Sequence, residues 1–275
     1  MVKSASEALR DAAARLSVVS DTPRLDAELL MAHALELSRE DMLLRLRDMD
    51  EPEGFATLVE RRMAHEPVSH IIGTRDFWTL SLRVTSDVLT PRPDSETLIE
   101  AGLAHFEERA APRRILDLGT GSGALLLAAL SEWSDATGLG VDISEAALEV
   151  ARGNAQRYGM AARAEFRRGD WFEGVDGVFD LILANPPYIK KSAPLPRDVA
   201  EYEPHLALFA GEDGLDAYRL IALSLAQYLA PGGMAAIEIG FDQGTSAARL
   251  FADHGLKVTV KQDLAGQDRC LSVTR

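Results

Sequence analysis

The tetrapeptide Asn185-Pro186-Pro187-Tyr188 follows an apolar run, Phe179–Ala184, and holds the residues best suited to chemistry. Pro187 keeps Pro186 away from helical angles, and neither proline has an N–H. The corner is therefore rigid, and its carbonyls lack local donors. Asn185 adds a side-chain amide oxygen and Tyr188 a flat aromatic face. This set suits a planar NH2 group. The Asn185 oxygen and the Pro186 carbonyl can accept its two hydrogens while its plane rests on Tyr188, with Pro187 stiffening the turn. Such contacts aim the nitrogen at an electrophile and favour the positive charge that develops on it during attack. No strong general base stands out, and positioning alone can supply much of such a rate.

A second set of residues could hold the electrophile's carrier. Asp117-Leu118-Gly119-Thr120-Gly121-Ser122-Gly123 follows the short apolar run Ile115–Leu118. Its glycines permit a tight turn and a close ligand approach. The G-x-G-x-G spacing differs from the nicotinamide fingerprint, and no Lys-Ser or Lys-Thr follows to make a phosphate-binding P-loop. Asp142 ends the next strand, where a carboxylate can accept from both ribose hydroxyls or help to cap the helix beyond. Asp170 and Trp171 follow the third strand and offer a carboxylate for an adenine amino group and an apolar wall. Together these strand ends resemble the nucleoside pocket of class I methyltransferases. That resemblance implies S-adenosylmethionine as cofactor, a sulfonium methyl as the electrophile and S-adenosylhomocysteine as the product.

These groups need a scaffold. Residues 4–64 show helical spacing, with stripes through Leu9, Ala13 and Leu16, through Leu25, Leu29, Leu30, His33 and Ala34, and through Phe55, Leu58, Val59 and Arg62. They predict a bundle of four or five helices. Trp78, Leu80, Leu82 and Val84 alternate onto one face of a strand or hairpin. Pro91 and Pro93 then stiffen the chain, and Asp94 or Ser95 caps a helix running to about Arg109. Beyond Arg114 strands and helices alternate, with strands at Ile115–Leu118, Leu139–Ile143, Ala164–Arg168, Phe179–Ala184 and Met234–Ile239, and a closing antiparallel pair at Lys257–Gln262 and Cys270–Val273. The expected architecture is α/β: a doubly wound, Rossmann-like sheet with an N-terminal helical bundle domain. The expected domains are residues 1–75 for docking a substrate, a connector at 76–93 and a catalytic domain at 94–275. The loop 189–213 is long enough to suggest a binding role, and Lys190, Lys191 and Arg197 form a local basic cluster.

Composition bounds the partners. The chain has 275 residues and a net charge of −14, with ten Lys/Arg against fourteen Asp/Glu in residues 1–75. Neither half has the basic footprint of a general nucleic-acid binder. No apolar stretch is long enough for a membrane span, and the first residues read as an amphipathic helix, so the cytoplasm is the expected location. Cys270 stands alone, which excludes an internal disulfide, and is expected to be a small buried residue in a late strand. His65-Glu66-Pro67-Val68-Ser69-His70 lacks metal-ligand spacing, so no metal is expected.

Asn-Pro-Pro-Tyr is shared by methyltransferases acting on adenine, cytosine and glutamine amino groups. Further segments narrow the resemblance: Arg75 to Trp78, Leu89 to Asp94, Val141 to Ser144, Gly169 to Phe172, Tyr202 to Pro204, Gly211 to Leu215 and Asp263 to Gly266. With the glycine turn and the tetrapeptide, this ordered set resembles the peptide chain release factor glutamine methyltransferases, the PrmC/HemK family, over essentially the whole chain. Ala184 and Ser95 depart from that family's frequent serine and threonine. The resemblance implies that Gly119, Thr120, Gly121, Ser122, Gly123, Asp142 and Trp171 hold the cofactor, with Asp170 added by its place after the third strand. Asn185 would touch cofactor and substrate, with Pro186, Pro187 and Tyr188 orienting the glutamine of a Gly-Gly-Gln motif in a bacterial release factor. It implies a release factor as partner; the acidic charge leads to the expectation of no direct nucleic acid, and a monomer is the default. A ribosomal-protein glutamine methyltransferase, an adenine amino-methyltransferase and a binding adaptor with an inactive pocket stand as alternatives.

Overall fold

Ser4 accepts from the Glu7 N–H while the Glu7 carboxylate accepts from the Ser4 N–H. This reciprocal cap starts α1 (Ala5–Leu16). A proline at the first turn opens α2 (Pro23–Ala34), and Ser38 caps α3 (Arg39–Arg45). Helices α4 (Phe55–Met63) and α5 (Val68–Ile72) complete a five-helix bundle, α5 stopping at Gly73 with φ of 77°. The structure is a computed structural model and describes residues 3–275. Leu9, Leu16, Leu30, Met31, Met42 and Phe55 form the bundle's core.

Helix α2 is rotated from the face its apolar spacing suggests. Ala27, Leu30 and Met31 are inside, whereas Leu25 and His33 are exposed. Two carboxylates take the buried positions because each has a cationic partner. Arg62 reaches Asp26 at 2.8 Å, and Glu28 is held by Arg24 and Arg39. Apolar periodicity does not reveal charges that are buried in pairs.

The chain divides into two compact units. The first takes in everything to Thr74 and also Leu195–Tyr202; the second comprises Arg75–Pro194 and Glu203–Arg275. A hairpin, β1 (Thr74–Phe77) and β2 (Leu80–Arg83), begins at the boundary and, from Arg75 on, belongs to the second. Leu80, Leu82 and Val84 are buried as the alternation predicts, but Trp78 lies in the turn with φ of 56° and is only partly buried against the core that holds Leu80 and Leu82. A short 3-10 turn, Pro93–Ser95, leads into α6 (Glu96–Phe106). Neither Asp94 nor Ser95 caps this helix. The Ser95 side chain makes no cap bond there, and Asp94 pairs with Arg269 at 3.2 Å.

The sheet follows from alternating apolar strands and helices. In chain order it contains β3 (Arg114–Leu118), β4 (Thr137–Asp142), β5 (Ala164–Arg168), β6 (Phe179–Ala184), β7 (Leu229–Glu238), β8 (Lys257–Gln262) and β9 (Asp268–Thr274). Their spatial order is β5-β4-β3-β6-β7-β9-β8, parallel from β5 to β7 and antiparallel at β9 and β8. Helices α7 (Ala124–Glu132) and α8 (Glu145–Arg157) follow β3 and β4. After β6 the chain forms α9 (Arg197–Tyr202) within the first unit, where the Tyr202 hydroxyl donates to the Ala64 carbonyl. Helices α10 (Asp216–Tyr228) and α11 (Gly244–Ala252) complete the second unit. The central strand β6 is buried on both faces. Leu181 and Leu183 join a core with α6 and α7, while Ile182 and Ala184 join one with α10 and α11. Cys270 is fully buried in β9, and burial pushes its thiol up to about 12.

The chain leaves β3 in one direction to β4 and β5 and then crosses to β6 on the other side. The carboxyl ends of β3 and β6 therefore flank a topological switch point, where such sheets bind ligands. Asn154 of α8 ties the hairpin to this edge. It is wholly buried, accepts from the Arg83 N–H and donates to the carbonyls of Arg83 and Ser122. Asn154→Ala would strand these groups, at a cost of about 2–4 kcal/mol in urea unfolding. A variant as stable as the parent would contradict this role.

Candidate functional site

The glycine turn after β3 is shaped from both sides. The N–H groups of Gly119 and Thr120 donate to the Val141 carbonyl, and the Gly121 N–H donates to Asp142 Oδ2 at 2.9 Å. Asp142 Oδ1 accepts from the Ser144 N–H at 2.9 Å. Gly121 and Gly123 have φ of 54° and 81°, which a side chain rarely adopts. Asp117 is fully buried at the end of β3 and accepts from the Thr120 hydroxyl at 2.6 Å. Burial pushes Asp117 up to about 7, with the Thr120 hydrogen bond pulling the other way. Burial also raises Asp142, against its backbone N–H bonds.

A cavity lies over this turn, with about 1100 Å³ of non-atom space including its open mouth. Gly119, Thr120, Gly121, Ser122, Asp142, Asp170, Trp171 and Asn185 all line it. Gly123 has left this wall, starting α7 against Ala151. A Cβ on Gly121 would meet only the Gly119 carbonyl, 4.0 Å away, and one on Gly119 only the Trp171 ring at 3.9 Å. The turn is thus a bare cradle, with a carboxylate at the end of β4 and an indole after β5. These features fit a nucleoside carrying a short polar tail.

Asn185 and Pro187 line the same cavity, whereas Pro186 is buried. Tyr188 lies outside the lining, half-buried, with its hydroxyl 3.3 Å from Glu238 Oε1. Its carbonyl accepts from Gln243 Nε2 at 3.1 Å, and the same amide nitrogen donates to the Gly214 carbonyl at 3.2 Å. The corner is therefore fixed at both ends of Tyr188. Asn185 Nδ2 donates to Ser95 Oγ at 3.1 Å, and Ser95 in turn donates to Glu238 Oε2.

Leu89 and Pro91 also border the cavity, as do Pro204, Leu206 and Ala207. Between these groups, Arg92 Nη2 reaches both oxygens of the buried Glu203 carboxylate at 2.9 and 2.7 Å. Within the long segment after the corner, Ile189 and Lys191 donate to the carbonyls of Leu208 and Gly211. Lys190 and Lys191 are exposed, and Arg197 is paired with Glu201 at 2.6 Å.

Sequence reasoning missed Ser95 as a site residue, together with Glu238 and Gln243. A charged residue closing the apolar run Met234–Ile237 at a strand's carboxyl end was the available signal for Glu238.

Residues 7–73 match the family described as PrmC N-terminal domain, and residues 111–239 match the family described as Methyltransferase domain. The release factor glutamine methyltransferase of Rhodospirillum rubrum is 46% identical over 268 residues, covering 95% of this chain and 82% of that protein. The release factor glutamine methyltransferase of Agrobacterium fabrum is 42% identical over 262 residues, covering 92% of this chain and 91% of that protein. A methyltransferase from Pyrococcus furiosus superposes with a TM-score of 0.51 at 18% identity, covering 70% of this chain and 87% of that one. The catalytic domain of hMettl16, solved with MAT2A 3'UTR hairpin 6, gives 0.57 at 14% identity, covering 80% and 81%. At those identities the structures share the fold, that of the class I methyltransferases.

Gly169 holds Asp170 and Trp171 at the cavity, because a Cβ there would come within 2.6 Å of the Glu173 carbonyl. Gly169→Ala is expected to weaken S-adenosylhomocysteine binding by about tenfold in calorimetry. Unchanged affinity would remove Asp170 and Trp171 from the binding wall.

Proposed function

This chain belongs to the release factor glutamine methyltransferases, and we propose that it methylates the side-chain amide of the glutamine in a release factor's Gly-Gly-Gln motif. The cofactor S-adenosylmethionine supplies a methyl group on a positively charged sulfur, already a good leaving group. The cradle at Gly119–Ser122, with Asp142, Asp170 and Trp171 around it, would hold its nucleoside and tail. Asn185 Oδ1 and the Pro186 carbonyl would accept the two hydrogens of the glutamine amide. Pro187 stiffens the corner, and Tyr188, fixed by Glu238 and Gln243, keeps it in place.

The observation that carries this reading is the tie from Asn185 Nδ2 to Ser95, which turns the amide oxygen to the other side of the group, at a residue lining the cavity. An acceptor there fits an incoming NH2 and favours the charge that develops on its nitrogen. Orienting nucleophile and electrophile can contribute about 7–11 kcal/mol to such a reaction. The deprotonation that completes it needs no strong base, because an amide nitrogen that has gained a methyl group is very acidic.

The helical unit is proposed to dock the release factor. Its exposed Leu44 and Val18 support this, at 84% and 76% accessibility. We propose further that the enzyme is a monomer of the cytoplasm whose macromolecular partner is protein and not nucleic acid. Its net charge of −14 supports that choice, and among the described residues no helix is long and apolar enough to cross a membrane.

Asn185→Ala should lower kcat for methyl transfer to the release factor by about 100-fold or more. A kcat within a few-fold of the parent would refute the role given to its amide. Leu44→Asp should raise the KM for release factor while leaving cofactor affinity as it was. An unchanged KM would move docking away from that surface.

A further inference from the structure

Glu238 closes β7 with 1% of its surface exposed, and both its oxygens accept from hydroxyls. Ser95 donates to Oε2 and Tyr188 to Oε1. We propose that Glu238 is a positioning residue: acting through Ser95, its charge decides which end of the Asn185 amide faces the cavity. The proposal rests on the reading of the site given above, in which Asn185 accepts from the substrate's NH2.

The argument is one of hydrogen-bond polarity. An ionised carboxylate has no hydrogen to give, so the Ser95 hydroxyl must spend its single hydrogen on Glu238. Toward Asn185 the Ser95 oxygen can then only accept. The amide must present Nδ2, as it does at 3.1 Å, and its oxygen turns to the other side. A proton on Glu238 reverses the relay. The carboxylic acid donates to Ser95, the Ser95 hydrogen swings toward Asn185, and the amide rotates to offer its oxygen to Ser95. Its NH2 then faces the cavity, donor against donor, and the substrate amide loses its acceptor.

The surroundings place this switch in an accessible range. Burial raises Glu238 to about 7, against the Ser95 bond, the nearby Arg269 charge and the Tyr188 bond. Asp94, before α6, adds repulsion that also raises it. On β9, Arg269 pairs with Asp94 and Asp263, and Cys270 lies opposite Glu238 in the strand register. From α10 the Tyr218 hydroxyl donates to the Glu238 main-chain carbonyl at 3.1 Å. A folded value above the ordinary carboxylate range means that the competent, ionised form dominates above about pH 7 and is lost as pH falls through it.

The test is the pH profile of kcat, from about pH 6 to about pH 8, for transfer of labelled methyl to intact release factor. The parent enzyme should show an acid limb, with kcat at about pH 6 roughly tenfold below its plateau. Glu238→Gln has no proton to lose at this position and should show no limb. Ser95→Ala breaks the relay, so it should lower kcat with little change in the KM for release factor and also lose the limb. Ser95→Thr keeps the hydroxyl and should keep the limb. If Glu238→Gln does not fold, the serine pair carries the same test. A limb that survives in Glu238→Gln or Ser95→Ala would hand the titration to another group, such as Asp117, and overturn the proposal. A flat parent profile would overturn it as well. A parent enzyme that transfers no methyl at any pH would instead refute the functional reading, and the proposal with it.

Discussion

The Glu238 carboxylate is out of water at the end of β7, and its need for donors organises the catalytic edge of the sheet. Ser95 arrives from the turn before α6 and Tyr188 from the corner after β6. Leaving such a group unpaired would cost several kcal/mol, so each donor is drawn to it from a distant part of the chain. The order this imposes reaches Asn185 at one remove. A side-chain amide that could present either end is given one polarity by the hydroxyl beside it. Arg269, itself paired with Asp94 and Asp263, is the nearby cation that keeps the buried charge from being isolated.

The other half of the site is built with backbone. The glycine turn is held by the Val141 carbonyl and the Asp142 carboxylate, so β4 shapes the loop that follows β3. Asn154 then joins the end of that loop to the hairpin. The two halves meet at the switch point between β3 and β6, where parallel strands deliver a bare turn and an amide-bearing corner to one cavity. A rigid sheet can fix both because its central strands are buried on both faces and have no room to shift.

Much of this was legible in the sequence, because it is encoded locally. Strands such as Ala164–Arg168 and Phe179–Ala184 are short runs bounded by turn residues. The glycine turn and the proline corner carry their geometry in their own covalent structure. What was not legible depends on long-range pairing. Ser95 precedes a helix and so reads as its cap, but its partners lie 90 and 143 residues further along the chain. Asp26 and Glu28 look like an outer face of α2 until Arg62, Arg24 and Arg39 are placed beside them. Trp78 alternates correctly with Leu80 and Leu82, yet the hairpin turns at that residue. Tyr188 shows an aromatic face in sequence, whereas in the fold its hydroxyl anchors it to Glu238 at the border of the cavity.

The central claim is that this edge presents an acceptor pair to one glutamine amide. Its most direct test is tandem mass spectrometry of intact release factor after reaction with this enzyme and S-adenosylmethionine, beside a factor whose Gly-Gly-Gln glutamine is replaced by alanine. The account predicts one methyl group, on the side-chain amide of that glutamine, and none on the alanine form. A methyl group elsewhere, or equal methylation of both factors, would contradict it.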